Sequence, residues 1–418
     1  MSKWEWKKLG EVCDSINGLW KGKKEPFIKV GVIRNTNFTK NCKLDLNPSK
    51  LEFLDVEKKQ YDKRKLQFGD LIVEKSGGSE KQPVGRVVLF EEKEGEYSFS
   101  NFTSVLRIKN DDEIECHFLH LQLYKLYLDG VTKQMQSATT GIHNLDFDQF
   151  KDLSIGIPPL SEQNRIVKFL DEEFSKIDTL KTNAETNLKN AKELFETTLE
   201  KELNPLSHHS ERSEKSCAEL PSGWEWIKIS TLVTKCLNIK WDKIALNDSR
   251  LYIDLSSVNK DTQCIENVSE INVENAPSRA KQIIHGKDVL FATTRPTQKR
   301  VCIVEREFDN QICSTGFCVL RPQACLESKY LFYCLLSDDY YSYIKPLEKG
   351  ANYPAVTDGD VKNYEIPLPP LSVQKEIVAR LDKLSENVKR LEANYKQIIA
   401  DCDELKKSIL KKTFERKS

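Results

Sequence analysis

Pro158-Pro159-Leu160-Ser161-Glu162-Gln163, followed by Ile166, Val167, Leu170 and Asp171, recurs 211 residues later as Pro369-Pro370-Leu371-Ser372-Val373-Gln374, followed by Ile377, Val378, Leu381 and Asp382. So close a match in spacing marks two copies of one plan laid end to end. The fold is expected to use two of everything.

Beyond each proline pair the apolar residues step by four and three. In the second copy Ile377, Leu381, Leu384, Val388, Leu391, Tyr395, Ile398, Cys402, Leu405 and Ile409 form an unbroken coiled-coil seam. In the first copy the matching positions are Ile166, Leu170, Ile177, Leu180, Ala184, Ala191 and Leu194, interrupted by Glu173, Asn187 and Thr198. One such stripe would suit a helix lying on a globular domain. Two in matched register favour helices that pair with each other. Ser161 and Ser372 are placed as N-caps after the prolines, and Pro205 closes the first helix. Each helix should run for about 40 residues, roughly 60 Å at 1.5 Å per residue.

Ahead of the helices the copies match more loosely but in order. Trp4-Glu5-Trp6 answers Trp224-Glu225-Trp226, and Asn17 and Trp20 answer Asn238 and Trp241. Phe68-Gly69-Asp70-Leu71-Ile72 answers His285-Gly286-Lys287-Asp288-Val289-Leu290, with Lys287 read as an insertion. Val105-Leu106-Arg107 answers Val319-Leu320-Arg321, and Gly141 answers Gly350. Leu71 to Val73, Arg86 to Phe90 and Val301 to Val304 read as strands, Phe118 to Leu128 and Tyr330 to Tyr343 as helices. The fold class is therefore α+β: a domain over 1–157, a helix over 158–203, a polar connector over 204–222, a second domain over 223–367 and a second helix over 368–418. The two helices are expected to pair as an antiparallel coiled coil with pseudo-two-fold symmetry.

Lys plus Arg number 64 against 64 Asp plus Glu, so the chain carries no net charge. Counted by segment, residues 1–65 hold 16 basic and 9 acidic side chains, and 66–157 hold 9 and 15. The first domain is polarised. The segment 158–223 has 9 basic and 13 acidic residues, whereas 368–418 has 12 and 8, and opposite sign favours helix pairing. No apolar run spans a bilayer and no signal region opens the chain, which points to a soluble cytoplasmic protein without membrane contact. The 12 cysteines form no CxxC pair and read as reduced thiols. His117, His120, His208 and His209 lack ligand partners at metal spacing, so no metal site is assigned.

Catalytic motifs are missing. There is no phosphate loop, no glycine-rich dinucleotide turn and no GxSxG elbow. Glu5-Trp6-Lys7 has the acid-x-lysine form of some nucleases, but its counterpart ends in Ile227. A nuclease and a purely structural coiled-coil adaptor remain the rivals to a binding function.

Two variable domains, each followed by a PPLxxQ motif and a long helix, resemble the specificity subunit of a Type I restriction-modification system. The stretches Gly69 to Gly78 with Pro83-Val84-Gly85-Arg86, and Ala276 to Ala280 with Gly286 to Leu290 and Arg295-Pro296, resemble that family's target recognition domains. The resemblance implies a chain without catalysis of its own, in which each domain reads one half of a bipartite, asymmetric site in double-stranded DNA. It implies helices that set the gap and dock two methyltransferase subunits, with two restriction or translocase subunits completing the complex. S-adenosylmethionine, ATP and Mg would belong to those partners. The specificity subunit of another restriction-modification class is the nearest alternative.

Under that reading the contacts are expected from the loop after the Gly-Asp strand and from the glycine turn before each helix. In the first domain these are Lys75, Ser76, Ser79, Lys81, Arg86, Thr139, Thr140, His143 and Asn144; in the second, Arg279, Thr293, Thr294, Arg295, Lys299, Arg300 and Asn352. Gly69, Gly77, Gly78, Gly141, Gly286 and Gly350 are read as turn formers, and Trp4, Trp6, Trp224 and Trp226 as core anchors.

Overall fold

A computed structural model describes residues 4–19, 22–80, 82–139, 141–204, 220–245 and 248–415. Trp20, Pro205 and nearly all of the connector lie outside them. The chain divides into two compact units, one formed by Met1–Ala184 with Gln397–Ser418 and the other by Glu185–Lys396. The division falls within both long helices, Leu160–Leu203 and Leu371–Glu415.

Each unit repeats one frame. In the first, a four-stranded antiparallel sheet runs in the order Cys13–Asn17, Thr103–Ile108, Leu71–Glu74, Val87–Leu89. In the second the order is Val233–Thr234, Phe317–Pro322, Val289–Ala292, Val301–Ile303. The central strands Leu71–Glu74 and Val289–Ala292 are buried at every position, which is why they are apolar throughout except for Glu74, whose carboxylate pairs with Arg86. A mixed sheet accompanies each, three-stranded in the first domain and four-stranded in the second, with one parallel pair: Phe27–Ile33 beside Tyr97–Phe99, and Arg250–Ile253 beside Gln311–Ser314.

The tryptophan strands close each domain. Glu5–Lys8 pairs antiparallel with Ser154–Ile157, and Glu225–Lys228 with Glu365–Leu368, so each domain's first strand meets the strand that leads into the proline pair. Trp4 packs in the core with Phe118 and Phe414, and Trp224 against the second core. Trp6 and Trp226 are instead 52% and 44% exposed, because strand alternation turns every second residue outward.

Asp70 and Asp288 have equivalent bonds. Asp70 accepts from the backbone of Gln67 at 2.8 Å and pairs with Arg107 at 2.7 Å; Asp288 accepts from the backbone of His285 at 2.8 Å and pairs with Arg321 at 2.8 Å. Both carboxylates are buried. This equivalence sets Lys287 on the position of Gly69, and both have positive φ, +75° and +88°. Lys287 is therefore a replacement for the turn glycine, not an insertion.

The glutamine of each PPLxxQ motif is fully buried and clasps the start of the domain's helix. Gln163 accepts from the Glu115 N–H at 2.9 Å and donates to the carbonyls of Glu113 and Pro158 at 2.8 Å. Gln374 accepts from the Glu327 N–H at 2.8 Å and donates to Cys325 at 3.0 Å and Pro369 at 2.8 Å. The long helices begin at Leu160 and Leu371, and the Pro159 carbonyl already accepts from Glu162 and Gln163. Ser161 and Ser372 thus lie inside the first turn and are not the caps. The helix expected over Tyr330 to Tyr343 is broken at Ser337, whose hydroxyl caps a second helix, Asp338–Ile344.

Within each unit the helix segments run antiparallel. In the first, Ile166 and Leu170 pack with Leu410 and Phe414, Lys181 pairs with Asp403 at 2.7 Å, and Lys406 pairs with Asp178. In the second, Leu199 and Leu203 share a core with Ile377, Val378 and Leu381, and Arg380 pairs with Glu202 at 2.6 Å. The expected seam is closed along one column and, in the other, at its start, where Ile166 and Ile377 are buried. Leu170, Ile177, Ala184, Ala191, Leu381, Val388 and Cys402 are buried, and Leu384, Tyr395 and Ile409 are half-buried. Leu180, Leu194, Leu391, Ile398 and Leu405 are 38–55% exposed, so the seam reading is corrected at these five positions.

Candidate nucleic-acid interface

The central strand of the first domain leads through Lys75 into the short strand Ser76–Gly78. That strand pairs with Ile142–Leu145, which forms a hairpin with Gln136–Thr139. Asn144 stands opposite Ser76, and His143 opposite Gly78. The loop after the Gly-Asp strand and the glycine turn before the long helix, far apart in sequence, thus share one three-stranded sheet. Gly141 carries the turn at φ +82° with open space where a Cβ would stand.

Lys75 is half-buried, 3.2 Å from the Asn17 side-chain oxygen and 5.7 Å from the centre of the Phe147 ring. Burial lowers its pKa from the ordinary lysine value. Ser79 is exposed, and its hydroxyl accepts from the Gln82 N–H at 3.2 Å. Thr139 ends its hairpin strand; Lys81 and Thr140 lie outside the described residues. Beside Gly77 a cavity of about 520 Å³ is lined by Arg34, Asn35, Asn101 and Phe102 among others. Phe102 is 49% exposed, and Asn35 donates to the Ser76 carbonyl. Sequence reasoning missed these four residues. The available signal was the clustering of Arg34-Asn35 and Asn101-Phe102 at strand ends.

The second domain makes the same juxtaposition with different side chains. Thr294 bridges Ala355, the Val356 N–H donates to the Thr293 carbonyl at 2.9 Å, and the Arg295 N–H donates to Pro354 at 2.6 Å. Arg295 and Lys299 flank the short turn Pro296–Gln298, both in the left-handed region at φ +50° and +53°. Each such residue costs about 1–2 kcal/mol, a strain that persists only where the surroundings impose it and that gathers at functional sites. The exposed Arg295 guanidinium lies 4.8 Å from the ring centre of Tyr353, itself 70% exposed, and 3.4 Å from the Asn352 carbonyl. Arg279 is exposed, and its carbonyl accepts from Thr315, beside the Gly316 that holds Thr293.

Four expected contacts are committed to the fold. Arg86 is buried, bonded twice to Glu74 at 2.8 Å and once to the Phe38 carbonyl at 2.9 Å. Thr293 is buried, with its hydroxyl on the Gly316 carbonyl at 2.9 Å. Arg300 bonds the carbonyls of Leu255 and Val258, and Lys299 bonds Asp338 at 2.9 Å and stands 4.8 Å over the Tyr341 ring. Their donors hold the domain together and are withdrawn from the reading set. The remaining candidates offer amide, hydroxyl, imidazole and guanidinium groups, the chemistry that reads base edges and grips phosphates.

Residues 1–190 and 221–400 match the type I restriction modification DNA specificity domain. The chain belongs to that family. Its two tandem specificity domains make it a specificity subunit of the type I kind. It is similar to a Methanocaldococcus jannaschii chain provisionally named the MjaX type I restriction enzyme specificity subunit, at 24% identity over 93% of this chain and 89% of that one. It also resembles the Salmonella potsdam StySPI specificity subunit, at 23% identity over 84% and 75% of the two chains. Two solved chains share the fold at 20% identity, each comparison covering 99% of this chain and 97% of the other. One comes from work on complex assembly and conformational transition of the type I R-M system, with a TM-score of 0.74, and the other is the HsdS subunit from Thermoanaerobacter tengcongensis, with a TM-score of 0.58. Specificity domains of this family are DNA-recognition components. Among the described residues no helix is long and apolar enough to cross a membrane.

Proposed function

We propose that each domain reads one half of a split DNA site and that the chain does no chemistry of its own. The observation that carries this reading is the repeated frame with unlike loops. Both domains join the loop after the buried strand to the turn before the long helix, one presenting Ser76, His143 and Asn144, the other Thr294, Arg295 and Asn352. Different polar groups on one frame read different letters, so the whole target lacks two-fold symmetry.

The long helices set the unread gap and dock two methyltransferase subunits. The exposed apolar columns support docking, Leu180, Ile398 and Leu405 in one unit and Leu194 and Leu391 in the other. A partner helix would cover them as it covers any heptad seam. Two restriction or translocase subunits complete the complex in the cytoplasm, and S-adenosylmethionine, ATP and Mg sit on the partners. With zero net charge on this chain, much of the salt-dependent grip on phosphates falls to those partners.

The test is methylome sequencing of cells carrying the chain with its methyltransferase. A bipartite, asymmetric methylated motif is expected. A palindromic motif, or methylation without sequence preference, overturns the reading, as does cleavage or methylation of duplex DNA by the purified chain alone.

A further inference from the structure

Glu115, Cys116 and His117 open the helix Cys116–Leu128 of the first domain, and their donor atoms all lie within 4.8 Å of one another. On sequence alone His117 is set aside as lacking ligand partners at metal spacing, although Glu115 and Cys116 directly precede it. His117 Nε2 stands 3.0 Å from Glu91 Oε1, which fixes the orientation of the ring. His117 Nδ1 lies 2.6 Å from Glu115 Oε1 and 3.5 Å from Cys116 Sγ. The other Glu115 oxygen is engaged by the Phe118 N–H at 2.6 Å. Thiol, imidazole and carboxylate thus face one another at one point, where either a proton on His117 or a metal ion would satisfy them.

The second domain shows what that position requires. Glu327 occupies the place of Glu115, as both N–H groups donate to the motif glutamine, so Ser328 and Lys329 replace Cys116 and His117. There Lys329 carries its ammonium to Asp382 of the long helix at 2.5 Å. The counterpart of Asp382 in the repeat is Asp171. Asp171 has no hydrogen-bond or ion-pair partner among the described residues, and with His117 and Glu91 it lines a cavity of about 930 Å³. One domain fills the junction between its own helix and the long helix with a lysine cation. The other offers carboxylates, a thiol and an imidazole.

We propose that Glu115, Cys116 and His117 bind a divalent cation of the zinc class, with Glu91 orienting the imidazole and Asp171 facing the same cavity. Thiolate, imidazole and carboxylate together suit zinc, and three protein ligands leave one position open. The metal replaces, in the first domain, the Lys329–Asp382 pair of the second.

The test uses the full chain, purified under reducing conditions and stripped with a chelator. Addition of Co²⁺ should give a thiolate-to-cobalt absorption band, and zinc reconstitution followed by gel filtration should retain one equivalent per chain by mass spectrometry. Cys116→Ser should abolish the band. His117→Lys, which copies the second domain, should fold normally and retain no zinc. Glu91→Gln should weaken affinity about 10- to 100-fold, as loss of an outer-shell partner does. A wild-type chain with no band and no retained zinc overturns the proposal, leaving His117 as a protonated link between two carboxylates. So does a band that survives in Cys116→Ser, even if His117→Lys fails to fold.

Discussion

At the scale of single residues, sequence showed which side chains were available but not which way they were spent. Arg86 looked like a DNA contact because it follows a glycine loop; in the fold it faces Glu74 in the core. Removing one member of a buried pair strands the other charge, so Arg86→Ala should destabilise the first domain by about 3–5 kcal/mol in urea unfolding. An altered motif with unchanged stability would contradict this. Lys287 makes the opposite case, since a backbone angle decides its role and φ cannot be read from a letter. Lys287→Gly should raise stability by about 0.5–1 kcal/mol, relief of left-handed strain exceeding the added unfolded-chain entropy. Arg279 and Arg295 stay exposed, as expected of groups offered to a partner, with Arg295 lying over the Tyr353 ring. Asn35 and Phe102 were not legible, because the strands that bring them beside Gly77 are far apart in sequence.

At the scale of elements, periodicity located both long helices to within a few residues, and short unbroken apolar runs marked the central strands. What it could not show was which apolar column faces the neighbouring helix. A heptad pattern has two columns, and here one is closed within the chain while the other, past its start, stands open. That gives a separable prediction. Leu180→Glu and Ile398→Glu should change the stability of the isolated chain by no more than about 0.5 kcal/mol, as exposed substitutions do, yet abolish copurification with the methyltransferase. Loss of fold in the isolated chain would place those residues in the seam after all. The break at Ser337 was hidden for a related reason: apolar spacing continues across it from Tyr330 to Tyr343, and the interruption is a cap made by a serine hydroxyl.

At the scale of the molecule, the repeat gave the architecture, and contacts within the fold gather the chain into two compact units that each take part of both long helices. The repeat nevertheless predicts modularity. Exchanging residues 1–157 for the matching domain of another such subunit should change one half of the methylated motif and leave the other half intact. A change in both halves on methylome sequencing would refute independent reading.

The glutamine clasp makes that exchange physically cheap. Gln163 and Gln374 hydrogen-bond their domains through main-chain N–H and carbonyl groups, which every amino acid but proline supplies. A foreign domain ending in the same backbone path would be gripped as firmly as the native one, whatever letters it reads. The proline-glutamine segment is thus a ready splice junction, at which genetic recombination can trade one recognised half-site for another without rebuilding the scaffold.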